Sequence, residues 1–265
     1  AKVPTFWLQM LQHPRDKRFQ RPYADHHFVL DRYSAELWQS FIGIPPEEVT
    51  VVGSLRLAAT LGRVRGLPRA EARDELALAA DEQLALVATQ PVGVNENLAL
   101  IEIVLRAVRD NPTVRVLVKL HPSEPEDRIA IYARLAEDAG LGARCRVVKQ
   151  HDVYRAIVAA DLVVVQTSNV GIEATLLDRL SLSIVITEQS GAFSLGEHGL
   201  VEEITGAAAA EARIAALLGD PATRVAADAA RRALLEANLE LVDGRVTERI
   251  VGTIREVLAK QEATA

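Results

Sequence analysis

Short runs of valine, leucine and isoleucine alternate along this chain with longer stretches whose apolar residues return every three or four positions. A run without polar alternation marks a strand covered on both faces, and the three-to-four spacing marks an amphipathic helix. From residue 84 the order is regular: strand Leu84 to Thr89, helix Glu96 to Arg109, strand Val114 to Leu120, helix Pro125 to Ala139, strand Arg144 to Lys149 and helix Val153 to Ala160. Strand Leu162 to Gln166, helix Val170 to Leu177 and strand Leu182 to Thr187 complete the series. Strict alternation of this kind builds an α/β fold, a doubly wound parallel sheet with helices on both faces.

Upstream, a strand (His27 to Leu30), a helix (Tyr33 to Ile42), a Pro45-Pro46 turn and a strand (Val49 to Val52) ending at Gly53 form one βαβ step. Pro4 to Gln9 reads as the end of a strand inside a domain, so we expect this stretch to be the remnant of a first α/β domain whose front lies upstream. Glycines 62 and 66, Pro68 and the charged stretch Arg69 to Leu78 fit a connector. The expected division is 1–57 for the end of the first domain, 58–82 for a linker and 83–265 for the second domain. Helices Ala207 to Leu218, Ala222 to Asn238 and Val246 to Lys260 close the chain. Ser123 with Glu126 is spaced as a capping box, Asp220 stands before a proline at a first helical position, and Asp152 is placed as a cap.

Of the 265 residues, 49% are hydrophobic and 25% charged, enough for a substantial core. The net charge of -6, with both signs interspersed, gives no electrostatic footprint for nucleic acid. The single cysteine, Cys145, has no partner in the chain for a disulfide or a metal pair and reads as a small strand hydrophobe. No apolar run nears the ~18 residues of a membrane span. These features point to a cytoplasmic protein, and peripheral association with the inner face of a membrane is compatible with them.

Ligands of open α/β sheets sit at the carboxyl ends of the strands, so the residues that follow each strand are the candidates. After the first lies Gly93, ahead of a helix; it permits close backbone approach to a phosphate or is simply a turn glycine. After the second lies Lys119-Leu-His121-Pro122, where proline forces His121 out of the sheet at the strand tip, able to bond a phosphate oxygen or move a proton. Lys119 is expected to flank the core with its amine turned outward. Gln150, His151 and Asp152 follow the third strand, with His151 expected at the surface.

The stretch Asp161 to Ala174 carries the strongest signal, an apolar run entering a helix through Thr167, Ser168 and Asn169. Hydroxyls and the amides of Asn169, Val170 and Gly171 at a helix start attract phosphate. Glu173 in the first turn either accepts hydrogen bonds from a ribose diol or complements the helix dipole. Gly191 to Gly199, with Glu197 and His198, is a lid over the substrate or an ordinary connector.

At these residues the chain resembles the nucleotide-sugar-binding half of GT-B glycosyltransferases. The likeness is to bacterial cell-surface polymer enzymes: capsule synthases, CDP-glycerol glycerophosphotransferases and sialyltransferases with a His-Pro motif. UDP-N-acetylglucosamine 2-epimerases share the fold. The matching pieces are Val51 to Ser54, Lys119 to Pro122, Thr167 to Ala174 and Asp243 to Ile250. The resemblance implies that His121, Thr167 and Ser168 contact the donor phosphates, with His121 the catalytic candidate, and that Glu173 meets the ribose. It implies a nucleotide-activated donor, a glycan or lipid-linked acceptor, and neither metal nor cofactor. Three departures stand out: Pro14 follows Gln12-His13 where glycine is usual, Thr167 to Val170 replaces the epimerases' Asp-Ser-Gly-Gly, and Asp178-Arg179-Leu180 replaces Gly-Lys-Pro. The resulting expectation is a metal-independent glycosyltransferase acting in surface polysaccharide assembly. Its alternatives are a UDP-sugar 2-epimerase and a non-catalytic nucleotide-sugar-binding or interaction domain.

Overall fold

The computed structural model describes residues 3–9, 23–64, 66–91, 93–186, 195–196, 199–238, 241 and 243–264. Its packing divides the chain into two units, Ala1–Arg63 with Leu235–Ala265, and Val64–Leu234.

In the first unit β1 (Phe6–Leu8), β2 (His26–Val29) and β3 (Val49–Val51) form a parallel sheet in that order. Helix α1 (Arg32–Leu37) runs on into one wide turn, Trp38–Ile42, and α2 (Leu55–Val64) follows β3. Neighbouring residues of a strand face opposite ways, and β2 shows the consequence: Val29 packs with Ala35, Leu37, Trp38 and Ile44 on one face, and Phe28 with Val52 and Val246 on the other. Gly53 has φ +88, a left-handed turn that lets the chain leave β3 and place Ser54, whose hydroxyl accepts from Leu57 N at 3.2 Å.

In the second unit α3 (Arg69–Asp74) precedes β4 (Gln83–Ala88), α4 (Val94–Val108), β5 (Val114–Lys119), α5 (Arg128–Asp138), β6 (Cys145–Val148) and α6 (Val153–Ala159). The chain continues through β7 (Leu162–Val165), α7 (Val170–Leu176), β8 (Leu180–Val185), β9 (Glu202–Thr205), α8 (Ala207–Gly219) and α9 (Pro221–Ala237), and α10 (Val246–Thr264) closes it. The sheet order is β6-β5-β4-β7-β8-β9, every pair parallel. This is the expected doubly wound α/β sheet. Val114, Val116 and Val118 of β5 and Ala85 and Val87 of β4 enter one core with Leu100, Ile101 and Val104 of α4 and Tyr132 of α5. From β4 the chain steps outward through β5 to β6, then returns past β4 to β7, which opens a crevice between the carboxyl ends of β4 and β7.

Four sequence expectations change here. Residues 69–74 are not a free connector, because Arg69 and Arg73 both reach Asp161 at the amino end of β7, at 2.8 and 3.4 Å. Val246 of the last helix packs on Phe28 and Val52, so that helix belongs with the first unit and not with the second domain; an apolar stripe does not announce which sheet it will cover. The strand β9 escaped notice because Glu202 and Glu203 give a polar edge strand, not an apolar run. The Ser123/Glu126 capping box does not form: α5 begins at Arg128, and Ser123 is bonded to His121. Asp220 does cap its helix, accepting from Ala222 N and Thr223 N at 3.1 Å, and Asp152 caps α6.

Candidate functional site

Three loops meet at the crevice of the second sheet. Residues 89–93 follow β4, 120–124 follow β5 and 166–169 follow β7, and these strands are neighbours in the order β5-β4-β7. Two strand spacings, about 10 Å, therefore separate the outer loops. Pro91 and Pro122 sit in the first two; proline has no N–H to continue a ladder, so the chain turns off the sheet at both places.

The post that holds these loops is Glu124, only 5% exposed. One carboxylate oxygen accepts from Tyr132 OH at 2.8 Å and Asn97 Nδ2 at 3.1 Å. The other accepts from His121 N at 2.8 Å and from the Thr89 hydroxyl. Four donors from four segments thus converge on one side chain, the multidentate use for which a carboxylate is suited. Burial and the Glu124 bond push the Tyr132 phenol up to about 12, so it stays a donor. Lys149 Nζ also donates to the Glu124 carbonyl at 2.6 Å. Sequence reasoning passed over Glu124 as an ordinary polar residue in a Ser-Glu-Pro turn; its distance of three residues from His121 was the available clue.

His121 is half-buried, and its backbone N–H is fixed by both Glu124 and Thr89 Oγ1, the latter at 3.1 Å. Its Nδ1 lies 2.7 Å from Ser123 Oγ and receives Ser123 N–H at 3.2 Å. An N–H aimed at Nδ1 makes that atom an acceptor, which leaves the ring proton on Nε2. Nε2–H is then a donor pre-set by local turn geometry.

Gln90 joins the loop after β4 to the loop after β7. Its backbone is clamped by Asn97, which donates to Gln90 O at 2.8 Å and accepts from Gln90 N at 3.2 Å. Its side-chain amide, turned as its neighbours require, accepts from Ser168 N at 2.7 Å and Thr167 N at 3.1 Å and donates to Thr167 Oγ1. A continuous path of bonds therefore runs from His121 through Thr89 and Gln90 to Thr167 and Ser168. The path ties the backbone of His121 to the loop that carries Thr167 and Ser168.

The other candidates are placed differently. Gly171 is buried, and a Cβ there would stand 2.9 Å from Val165 Cγ2, so its smallness serves helix-on-strand packing. Its N–H is taken by Ser168 O at 3.0 Å, and Val170 N is capped by Ser168 Oγ at 3.3 Å. Asn169 is half-buried at the start of α7. Gly93 precedes α4 with an ordinary φ of −55, and the neighbour a Cβ would meet is the flexible carboxylate of Glu96. Glu173 is 4% exposed and accepts from Tyr154 OH at 3.2 Å. Glu197, His198 and His13 lie outside the described residues.

Lys119 does not turn outward: it is 6% exposed, its Nζ donates to Leu120 O at 2.8 Å, and burial lowers its pKa. The alternation of β5 explains this, since Val118 faces the α4 core and Lys119 must take the opposite, equally covered face. His151 is half-buried, and burial, followed by Arg146, lowers its pKa. Among the described residues no group of three or more His, Cys, Asp or Glu could hold a metal ion, and no helix is long and apolar enough to cross a membrane.

No family model matches this chain, and no curated protein does. Solved structures do. A putative UDP-N-acetylglucosamine 2-epimerase from Listeria monocytogenes superposes with a TM-score of 0.65 at 20% identity, over 89% of this chain and 60% of that one. The wall teichoic acid polymerase TagF matches at 0.57 and 15%, over 90% and 59%. A sucrose-phosphate synthase from Thermosynechococcus elongatus matches at 0.57 and 20%, over 89% and 59%. The chain spans about 60% of the length of each. At these identities the likeness shows the fold: α/β with parallel sheets, the GT-B Rossmann-like architecture.

Proposed function

We propose that the second unit binds a nucleotide-activated sugar or polyol phosphate at the β4/β7 crevice and takes part in its transfer to a glycan or lipid-linked acceptor, as a metal-independent GT-B glycosyltransferase of surface polysaccharide assembly. The observation that carries this reading is the bonded path from His121 to Thr167 and Ser168 across the switch point of the sheet, the place where open α/β folds receive ligands. The solved structures of this fold include a wall teichoic acid polymerase and a sucrose-phosphate synthase, and we take their names as support for this reading.

In this reading the donor's phosphates lie between the loops after β5 and β7. His121 Nε2–H faces one phosphate oxygen, and the Thr167 and Ser168 hydroxyls face another. As the bond to the transferred group breaks, negative charge grows on the departing phosphate. Donors already aimed at that charge lower the barrier without reorganising, each by about 2.7–4 kcal/mol where such groups have been removed from enzymes. The loops' own bonds to Glu124 and Gln90 provide that fixity.

Calorimetric titration of CMP, CDP and UDP against the wild type and His121→Ala tests the assignment. At least one nucleotide should bind the wild type, and the variant should bind it more weakly; equal heats from both remove His121 from the site. A second reading, a UDP-sugar 2-epimerase, draws on the TM-score of 0.65 to the Listeria protein. Solvent deuterium entering C2 of UDP-N-acetylglucosamine would establish that reading over transfer.

A further inference from the structure

A cavity of about 260 Å³ lies against β5 and β6 near their amino ends. Because Val114, Val116 and Val118 enter the α4 core, Arg115 and Leu117 project from the other face of the sheet. The register sets Leu84 beside Arg115 and Leu117 beside Arg146, so the floor pairs an apolar with a cationic residue twice over. Leu84 and Leu117 are each 2% exposed. Half-buried Leu76 and Leu78 form the opposite wall, on either side of Ala77, which holds the left-handed φ of 54 that non-glycine residues rarely adopt.

Three arginines line the cavity and differ in how far they are committed: Arg144 spends its guanidinium on the backbone carbonyls of Val108, Arg109, Asn111 and Val114. Arg115 is ion-paired to Glu82 at 2.5 Å. Arg146 stands exposed on the outermost strand and has no carboxylate partner among the described residues. The cavity therefore offers a mixed slot, leucines set among arginines, in which Arg146 is the exposed cation without a hydrogen-bond or ion-pair partner among the described residues. Its volume is just under the ~300–1,000 Å³ typical of drug-sized pockets, which calls for a small occupant.

We propose that this cavity binds a small amphiphilic carboxylate, its singly charged head on Arg146 and its short apolar body between Leu84, Leu117 and the Leu76/Leu78 wall. The site is distinct from the nucleotide crevice: it lies at the amino ends of the strands, about 13 Å along β5 from Lys119. The inference does not rest on the transferase reading.

Octanoate titrated calorimetrically into the whole chain is the test, with 1-octanol as the uncharged control. Octanoate should bind saturably at one site, and both Arg146→Gln and Arg146→Glu should weaken it about tenfold or more, the loss of one charge-assisted contact. Octanol should bind weakly, and His121→Ala should bind octanoate like the wild type. Absence of saturable heat, equal affinity in the Arg146 variants, or octanol matching octanoate would overturn the proposal. Circular-dichroism melts are the folding control for the Arg146 variants, and because the position is exposed on an edge strand both should melt like the wild type.

Discussion

Removing the Glu124 carboxylate tests whether the candidate site is a built structure or a chance meeting of loops. Glu124→Ala leaves the Tyr132 and Thr89 hydroxyls, Asn97 Nδ2 and His121 N–H without their shared acceptor. A buried donor left unsatisfied costs about 1–3 kcal/mol. The four are coupled, water fills part of the space, and removing a buried charge returns some desolvation energy, so the costs do not add. A net loss of about 3–5 kcal/mol is expected, more than one unsatisfied buried donor costs and less than the sum of four. Against a typical total of about 5–15 kcal/mol this is a large fraction. Urea unfolding followed by circular dichroism measures it, with the two units fitted as separate transitions. Glu124→Gln keeps the volume and one acceptor oxygen but turns an NH₂ toward two donors, so its loss should fall between those of the wild type and the alanine variant. Nucleotide binding should weaken in the same order, because His121 N–H is held by this carboxylate. A loss below about 1 kcal/mol in Glu124→Ala would refute the idea that Glu124 organises the loops.

Three other outcomes are expected. Gly171→Ala should destabilise by about 1–3 kcal/mol in thermal melts, because its new methyl meets Val165 inside a packed helix-strand contact; an unchanged melt would show that α7 can shift freely. Asp161→Ala should cost about 3–5 kcal/mol in denaturant titration, since it removes the common partner of Arg69, Arg73 and Arg224. Burial alone raises the Asp161 pKa, but the bonds from Leu84 N and the arginines outweigh it and hold the carboxyl below its usual value. The third concerns pH. His26 and His151 both have folded-state pKa values lowered, chiefly by burial. The unfolded chain then binds more protons just below the ordinary imidazole value of about 6.5, so stability falls as pH drops through that value and is fully recovered above it. Urea midpoints from pH 5 to 8 should rise with pH in the wild type and rise less in a His26→Asn, His151→Asn double variant; equal slopes would exclude these histidines as the cause.

Much of the second sheet was legible because local physics decided it. Short apolar runs alternating with helical patterns mark the strands of a parallel sheet covered on both faces, and Pro122, Asp152 and Asp220 act on backbone within three residues of themselves. The strand tips at His121 and Thr167-Ser168 follow from that pattern. Glu124 was not legible: its importance lies in donors from residues 89, 97, 121 and 132, which only the folded sheet brings to one point. The burial of Lys119 and Glu173, the packing role of Gly171 and the edge strand at Glu202 to Thr205 were hidden for the same reason.

The sequence by itself determined the strands from β4 to β8 and the helices between them, and which residues stand at those strand ends, since both depend on periodicity and on interactions between near neighbours. Tertiary structure decided that the last helix covers the first sheet, that Gln90 and Glu124 tie three loops into one crevice, and that an arginine-rimmed cavity opens beside β6. Each of these depends on distances between residues far apart in the chain, and a linear pattern of hydrophobic and polar positions carries no term for them.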